Sequence, residues 1–282
     1  MKKALSLLLA LVVCLSLCAC GEEAQPTEPI ETVSINSMFS DTDNGAKAQL
    51  NVGKVTTVYG QVSAISSSAC TVQLVYPKGA SVSVEMPIEQ LAEMEKNQFV
   101  AIEGMVASYN PSMSQKYTIS ATDVLALEEM DAYIRKTVTD VHAYRVLIEY
   151  TGEANAAMTH SALMSSLDVN LIDNYVHARG DAFKLTDDAE FKQYLVGKWV
   201  YSISYGGIKT ESCEYNKDGT YLWKYQRQNS YTGKIYDEQQ KGTWSVNKGD
   251  LTSFRGSDTY VYVLCDDVFL QMGQLHVRVD YQ

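Results

Sequence analysis

Histidine and proline are both thin in this chain, four and five among 282 residues. The short signatures of catalysis are missing. There is no Gly-x-Ser-x-Gly, no Walker-type phosphate loop, no Cys-x-x-Cys and no His-Glu-x-x-His. His142, His160 and His177 fall on separate predicted helices, or too far apart on one to share a metal. Ser245-Val246-Asn247-Lys248 matches a Ser-x-x-Lys pattern. It falls on a predicted hairpin turn rather than a helix start, and no companion motif follows it. Asp41-Thr42-Asp43-Asn44-Gly45 has the opening of a calcium loop. Its glycine comes one place early, and Val52 stands where a bidentate glutamate is required. No metal and no cofactor are expected, and a hydrolase is disfavoured. No apolar run reaches the roughly 20 residues that a membrane-spanning helix needs. Basic residues are outnumbered 23 to 34, for a net charge of −11. Such a surface disfavours nucleic acid and anionic lipid, because counterion release requires clustered Lys and Arg.

What is present starts at the N-terminus. Lys2 and Lys3 precede an uncharged apolar stretch, Ala4 to Leu17, followed by Cys18-Ala19-Cys20-Gly21. A basic start, a short apolar core and small residues at its end make a secretory signal, residues 1–19. Leu17-Cys18-Ala19-Cys20 resembles the bacterial lipobox. That resemblance implies cleavage before Cys20, a diacylglycerol thioether on its sulfur, and a place on the extracytoplasmic face of the cell membrane. Two acyl chains hold a protein far better than one, at ~0.8 kcal/mol per buried CH2. Losing Lys2 and Lys3 takes the net charge of the mature chain to −13. Residues 20–34, with four glutamates, Pro26 and Pro29, read as a disordered acidic tether.

The mature length suggests two domains, and the pattern is mainly β with a helical connector. Residues 35–127 open with a helix, Ile35 to Leu50, and then alternate. Strands are predicted over Val55–Ile65, with Gly60 at a bulge or bend, then over Cys70–Tyr76 and Val82–Met86. A short helix, Ile88 to Lys96, comes next, then strands around Val100–Val106 and Tyr117–Leu127. Three strands, a helix and two strands is the order of an OB-fold barrel. Asn44-Gly45-Ala46-Lys47-Ala48, Val52-Gly53-Lys54-Val55, Tyr59-Gly60-Gln61-Val62 and Val100-Ala101-Ile102-Glu103-Gly104-Met105-Val106 resemble the tRNA-anticodon-like OB domain of many bacterial lipoproteins. The resemblance implies an architecture rather than RNA binding. An OB groove for single strands needs cations and exposed aromatics, and here Tyr76 and Lys78 stand against Glu85 and several serines.

Residues 128–196 read mainly as helix, as a bridge or packed on one barrel. Met130, Tyr133, Ile134, Val138, Val141, Tyr144 and Ile148 form an apolar stripe. Ala154 to Leu167 is a second helix. Asp168 caps a third that ends at Arg179-Gly180, and Thr186-Asp187-Asp188 starts a last one. From residue 197 to 282 the chain turns all-β, with about eight short strands at regular spacing. Asp218-Gly219 marks a hairpin. Gly197-Lys198-Trp199, Asp218-Gly219-Thr220-Tyr221 and Gly242-Thr243-Trp244 resemble the small lipocalin-like domains of exported bacterial proteins. The resemblance implies an antiparallel barrel with Trp199 plugging its floor. The barrel is expected to be filled by its own side chains, Trp199, Trp223, Trp244 and tyrosines. Cys213 and Cys265 are the one attractive disulfide pair in an oxidising compartment; Cys70 reads as a small core residue. The whole reads as a lipid-anchored binding module for an envelope protein, a glycan or another ligand. The alternatives are a carrier of a small apolar ligand in the second barrel and a hydrolase with an unrecognised site.

Overall fold

The computed structural model describes residues 30–40, 44–146, 153–204, 209–229, 231–253 and 259–279. The predicted signal peptide, Cys20 and the tether up to residue 29 lie outside them. Among the described residues no helix is long and apolar enough to cross a membrane. Thr32–Gln282 is one compact unit, and it is mainly β with two barrels and a helical layer. Thr32 already bridges to Val55 in parallel, and the Val33 N–H donates to the Val55 carbonyl at 2.8 Å. The expected tether therefore ends three residues sooner than its predicted limit at residue 34.

The predicted first helix is two helices, α1 (Ile35–Ser40) and α2 (Gly45–Gln49). The break follows from Asn44, whose side chain accepts the Lys47 N–H at 3.3 Å and so caps a new start. Then come β1 (Val55–Ile65), β2 (Ala69–Leu74), β3 (Ser81–Glu85), α3 (Ile88–Leu91), β4 (Phe99–Tyr109) and β5 (Tyr117–Leu125). They close in the order β1-β2-β3-β5-β4, with β3 and β5 parallel and β1 returning to β4. This is the OB-fold barrel. Alternation does the work: every second residue of β1, from Thr56 to Val62, is buried. Val58, Val62, Val72, Val84, Ile102 and Ile119 fill the barrel, and α1 seats Ile35 and Met38 among them. Helix α3 stops well short of Lys96. Asn97 adopts a left-handed φ of 71°, its carbonyl accepts from Gln61 Nε2 at 2.9 Å, and the chain is turned into β4.

Gly60, predicted at a bulge or bend, is not at a bulge. It pairs regularly with Leu74 and Val100, and the bulge lies between Val62 and Ala64. The glycine is required by close approach, since a Cβ there would sit 2.0 Å from the Gln73 carbonyl oxygen. Gly104 is similar, with Ser120 O at 2.5 Å from a built Cβ.

The helical layer comprises α4 (Leu127–Val146), α5 (Glu153–Ser166), α6 (Val169–Arg179), a 3-10 turn (Gly180–Phe183) and α7 (Asp188–Leu195). Asp168 caps α6 by accepting the Leu171 N–H, and Gly180 ends it at φ 57°. Asp187 caps α7 through the Ala189 and Glu190 N–H groups. The layer packs on both barrels rather than on one. A single apolar cluster joins Val75 and Ala101 of the first barrel, Met130, Ile134, Val138, Leu163 and Ile172 of the helices, and Leu264, Leu270 and Val277 of the second barrel. Tyr144 and Ile148 of the predicted stripe lie beyond the described side chains. Polar contacts sit along both seams. Gln73 Nε2 donates to Asp168 Oδ2 at 3.0 Å, and Arg135 donates to the Val263 and Ala182 carbonyls at 2.8 and 2.7 Å.

The second barrel runs β6 (Gly197–Ser204), β7 (Lys209–Tyr215), β8 (Thr220–Gln228), β9 (Ile235–Thr243), β10 (Ser245–Asn247), β11 (Asp250–Thr252), β12 (Thr259–Cys265), β13 (Val268–Gln271) and β14 (Gln274–Arg278). The sheet order is β10-β11-β12-β13-β14-β6-β7-β8-β9. The count exceeds the expected eight because the predicted strand Ile235–Val246 bends at Trp244 into β9 and β10. These halves are the two ends of the sheet, so the barrel all but closes through one bent strand.

Candidate functional site

The floor of the second barrel is built around Trp199. Its ring is fully buried, its Nε1–H donates to the Leu195 carbonyl at 2.8 Å, and the Arg278 guanidinium lies 4.3 Å over it. Arg278 in turn donates to the Tyr194 and Val196 carbonyls and pairs with Asp267 at 3.2 Å. Helix α7 thus seals this end. Above it the interior is occupied by Tyr201, Cys213, Tyr215, Tyr221, Leu251, Val261 and Phe269, all buried. Burial, with Cys213 beside it, pushes the Tyr215 hydroxyl well above its usual pKa. His276, which the sequence reading passed over, is stacked between Tyr201 at 4.5 Å and Phe269 at 4.3 Å. The expectation of a barrel filled by its own side chains agrees with this packing for Trp199 and Trp244. Trp223 is only half-buried, near the mouth, where its Nε1–H donates to the Tyr201 hydroxyl.

Asp218 and Gly219 sit in the β7–β8 turn as the sequence implies. Gly219 takes φ 83°, and Asp218 Oδ1 accepts the Thr220 N–H at 2.9 Å and its hydroxyl at 2.6 Å. Those bonds hold the Asp218 carboxyl below its usual pKa. Trp244, at the strand bend, donates through its backbone N–H to the Gly219 carbonyl at 2.8 Å. With Lys192, Gln193, Val196, Lys217 and Ser245, these residues line a surface cleft of about 530 Å³ beneath the floor.

Cys213 and Cys265 are thiols and form no disulfide. Cys213 lies between Trp199 and Trp223 across the strands, inside the barrel, whereas Cys265 faces the helical layer on the outside. Cys70 is buried in the first barrel, and burial raises its thiol pKa. His142, His160, His177 and His276 lie on four different elements: α4, α5, α6 and β14. Among the described residues no three metal-ligating side chains converge. His142 faces Asp267 at 3.6 Å and depresses that carboxyl's pKa. Arg179 binds Asp131 and Glu128, with the Tyr175 hydroxyl 2.6 Å from Asp131. The first cluster braces the seam between the helical layer and the second barrel, and the second ties α4 to α6 within the layer. The Ser245-x-x-Lys248 motif lies on β10 and its turn, with Lys248 at φ 50°.

Tyr76 and Lys78 of the OB barrel are engaged by the helical layer. The Lys78 N–H donates to the Ser166 carbonyl at 2.8 Å, and Tyr76 and Tyr59 pack against the helical cluster. Tyr59 stacks on Tyr133 at 4.0 Å. By contrast the β8–β9 hairpin is open. Every residue of β9 from Ile235 to Lys241 is exposed, and Tyr231 at its turn is 97% exposed. Trp223 and Tyr225 stack at 5.7 Å, and Lys234 lies 5.2 Å over Tyr236. A cleft of about 350 Å³ on this arm is lined by Ser212, Lys224, Tyr225, Gln226, Asp237, Glu238 and Gln239. The sequence offered one sign of it: residues 219–236 hold Lys224, Arg227 and Lys234 and no acid, in an acidic chain. Aromatic faces with amides, carboxylates and lysines at a rim are equipped to recognise polar ligands or peptides.

Comparison with protein-family models and with curated proteins found no match for this chain.

Proposed function

We propose that this protein is a lipoprotein moored by Cys20 to the extracytoplasmic face of a bacterial membrane, and that it binds a partner without catalysis. One observation carries the mooring: the basic start, short apolar core and Leu17-Cys18-Ala19-Cys20 sequence. What supports surface recognition is the contrast within the second barrel, between an interior occupied by Trp199, Tyr215, Tyr221 and Phe269 and an open arm at β8–β9. None of those four aromatics lines the arm's cleft. The carrier reading needs an apolar cavity, and it is these bulky side chains that occupy the described interior. The hydrolase reading needs a poised nucleophile and base, and the polar clusters described above are committed to contacts within the helical layer and at its seam with the second barrel.

The test is a mass measurement of the protein extracted from membranes. The expected species begins at Cys20 and carries diacylglycerol, and a Cys20→Ala variant leaves the membrane fraction. A native product that keeps its first nineteen residues overturns the mooring. Saturable binding of a hydrophobic dye by the folded protein, displaced by lipid extract, would return the carrier reading.

A further inference from the structure

Strand β9 is the last strand of its sheet, and among the described residues it pairs only with β8. Its ladder fixes which backbone groups are taken. The Asn229 N–H donates to the Lys234 carbonyl, and the Trp244 N–H to the Gly219 carbonyl. Antiparallel ladders alternate hydrogen-bonded and non-hydrogen-bonded pairs. With Gln228 opposite Ile235 and Thr220 opposite Thr243, the bonded pairs fall at Tyr236, Glu238, Gln240 and Gly242 of β9. The N–H and C=O groups of Ile235, Asp237, Gln239, Lys241 and Thr243 therefore point away from β8, along the outer edge. Residues on both faces of the strand are exposed from Ile235 to Lys241. It holds no proline and no bulge. Monomeric proteins rarely leave so long an edge open, because it templates pairing with another chain.

We propose that this edge pairs with the same edge of a second copy, antiparallel about a two-fold axis through Gln239. The sequence of β9, Ile-Tyr-Asp-Glu-Gln-Gln-Lys-Gly-Thr, is complementary to itself in that register. Gln239 meets its own copy, Asp237 meets Lys241 twice, Glu238 meets Gln240, and Ile235 meets Thr243. All outward-pointing residues then face outward-pointing residues, as the ladder requires. An axis at Gln240 keeps like charges apart but forfeits both Asp237–Lys241 pairs, and the registers on the other side are worse. An axis at Glu238 sets Glu238 against Glu238, and one at Asp237 sets Asp237 against Asp237; like charges directly opposite destabilise a ladder. Isologous pairing closes on itself and stops at a dimer.

Sedimentation and light scattering of the Thr32–Gln282 unit, which contains all three apolar cores, test this directly. The mass is expected to double as concentration rises from micromolar to submillimolar. Asp237→Lys sets lysine against Lys241, and Lys241→Asp sets acid against Asp237; each should weaken the dimer about tenfold or more. The double variant Asp237→Lys with Lys241→Asp restores the pairing. Gln239→Cys should cross-link to its own copy on mild oxidation, since bonded partners lie about 5.5 Å apart at Cα, within disulfide reach. A Thr232→Cys control on the turn should not. A unit that stays monomeric throughout overturns the proposal, even if the edge takes a foreign peptide. So does a double variant no tighter than the singles.

Discussion

Replacing Ile102 with alanine in the first barrel should lower the unfolding midpoint read from the second. Ile102 is fully buried on β4, between Val58 of β1 and Val124 of β5. Loss of an isoleucine side chain at such a site costs about 3 kcal/mol, transfer and cavity together. All three tryptophans, Trp199, Trp223 and Trp244, belong to the second barrel. Tryptophan fluorescence in urea therefore reports that barrel alone, while far-ultraviolet circular dichroism reports the whole chain. The apolar cluster that runs from Val75 and Ala101 through the helices to Leu270 and Val277 ties the barrels together. With a urea slope of roughly 3–4 kcal/mol per molar for a chain of this size, both signals should shift by about 1 M and stay superimposed. A fluorescence midpoint that stays at the wild-type value, while the dichroism transition splits, would refute the reasoning. The helical layer would then be a linker with weak contacts.

Gly60→Ala places a methyl 2.0 Å from the Gln73 carbonyl oxygen, between two paired strands, and should destabilise by about 2–3 kcal/mol by thermal or urea unfolding. Arg278→Met leaves the Tyr194 and Val196 carbonyls and Asp267 without their donor; a loss of about 2–4 kcal/mol is expected, with a change in Trp199 emission as the local check. Burial lowers the pKa of His160, so the unfolded chain binds its proton more readily. Stability from this group is complete above the unfolded pKa of about 6.5 and declines as pH falls toward the lower folded value, by at most about 1.4 kcal/mol per pH unit. His160→Gln should flatten the urea midpoint between pH 7 and pH 5. Asp267, whose pKa is depressed, acts only at lower pH, its contribution being lost as pH falls through the folded value.

The strands of the first barrel were legible because alternation there is strict: Val55–Ile65 has the same bounds in sequence and structure. Caps were legible for the same local reason, at Asp168, Gly180 and Asp187. Long-range geometry was not. A strand bend at Trp244 leaves no mark in a run of residues that alternates straight through it. The supposed cysteine pair failed because sequence cannot say which side of a barrel wall Cys213 and Cys265 face. Gly60 announced that something close needed room, but only the register of β2 shows that it is the Gln73 backbone. The open arm was the least legible feature, since exposure on both faces of β9 depends on what fails to cover it.

The way the chain enters its first barrel has a mechanical consequence. Just after Thr32 and Val33 join β1, helix α1 drives Ile35 and Met38 into the barrel interior. A tug arriving from the N-terminal side cannot simply unzip a strand. It must first draw two apolar plugs out into water, a resistance of about 3–6 kcal/mol, and it then meets β1, flanked on both sides by β2 and β4. Load is thus introduced at a strand paired along both edges, far along the chain from the β8–β9 hairpin.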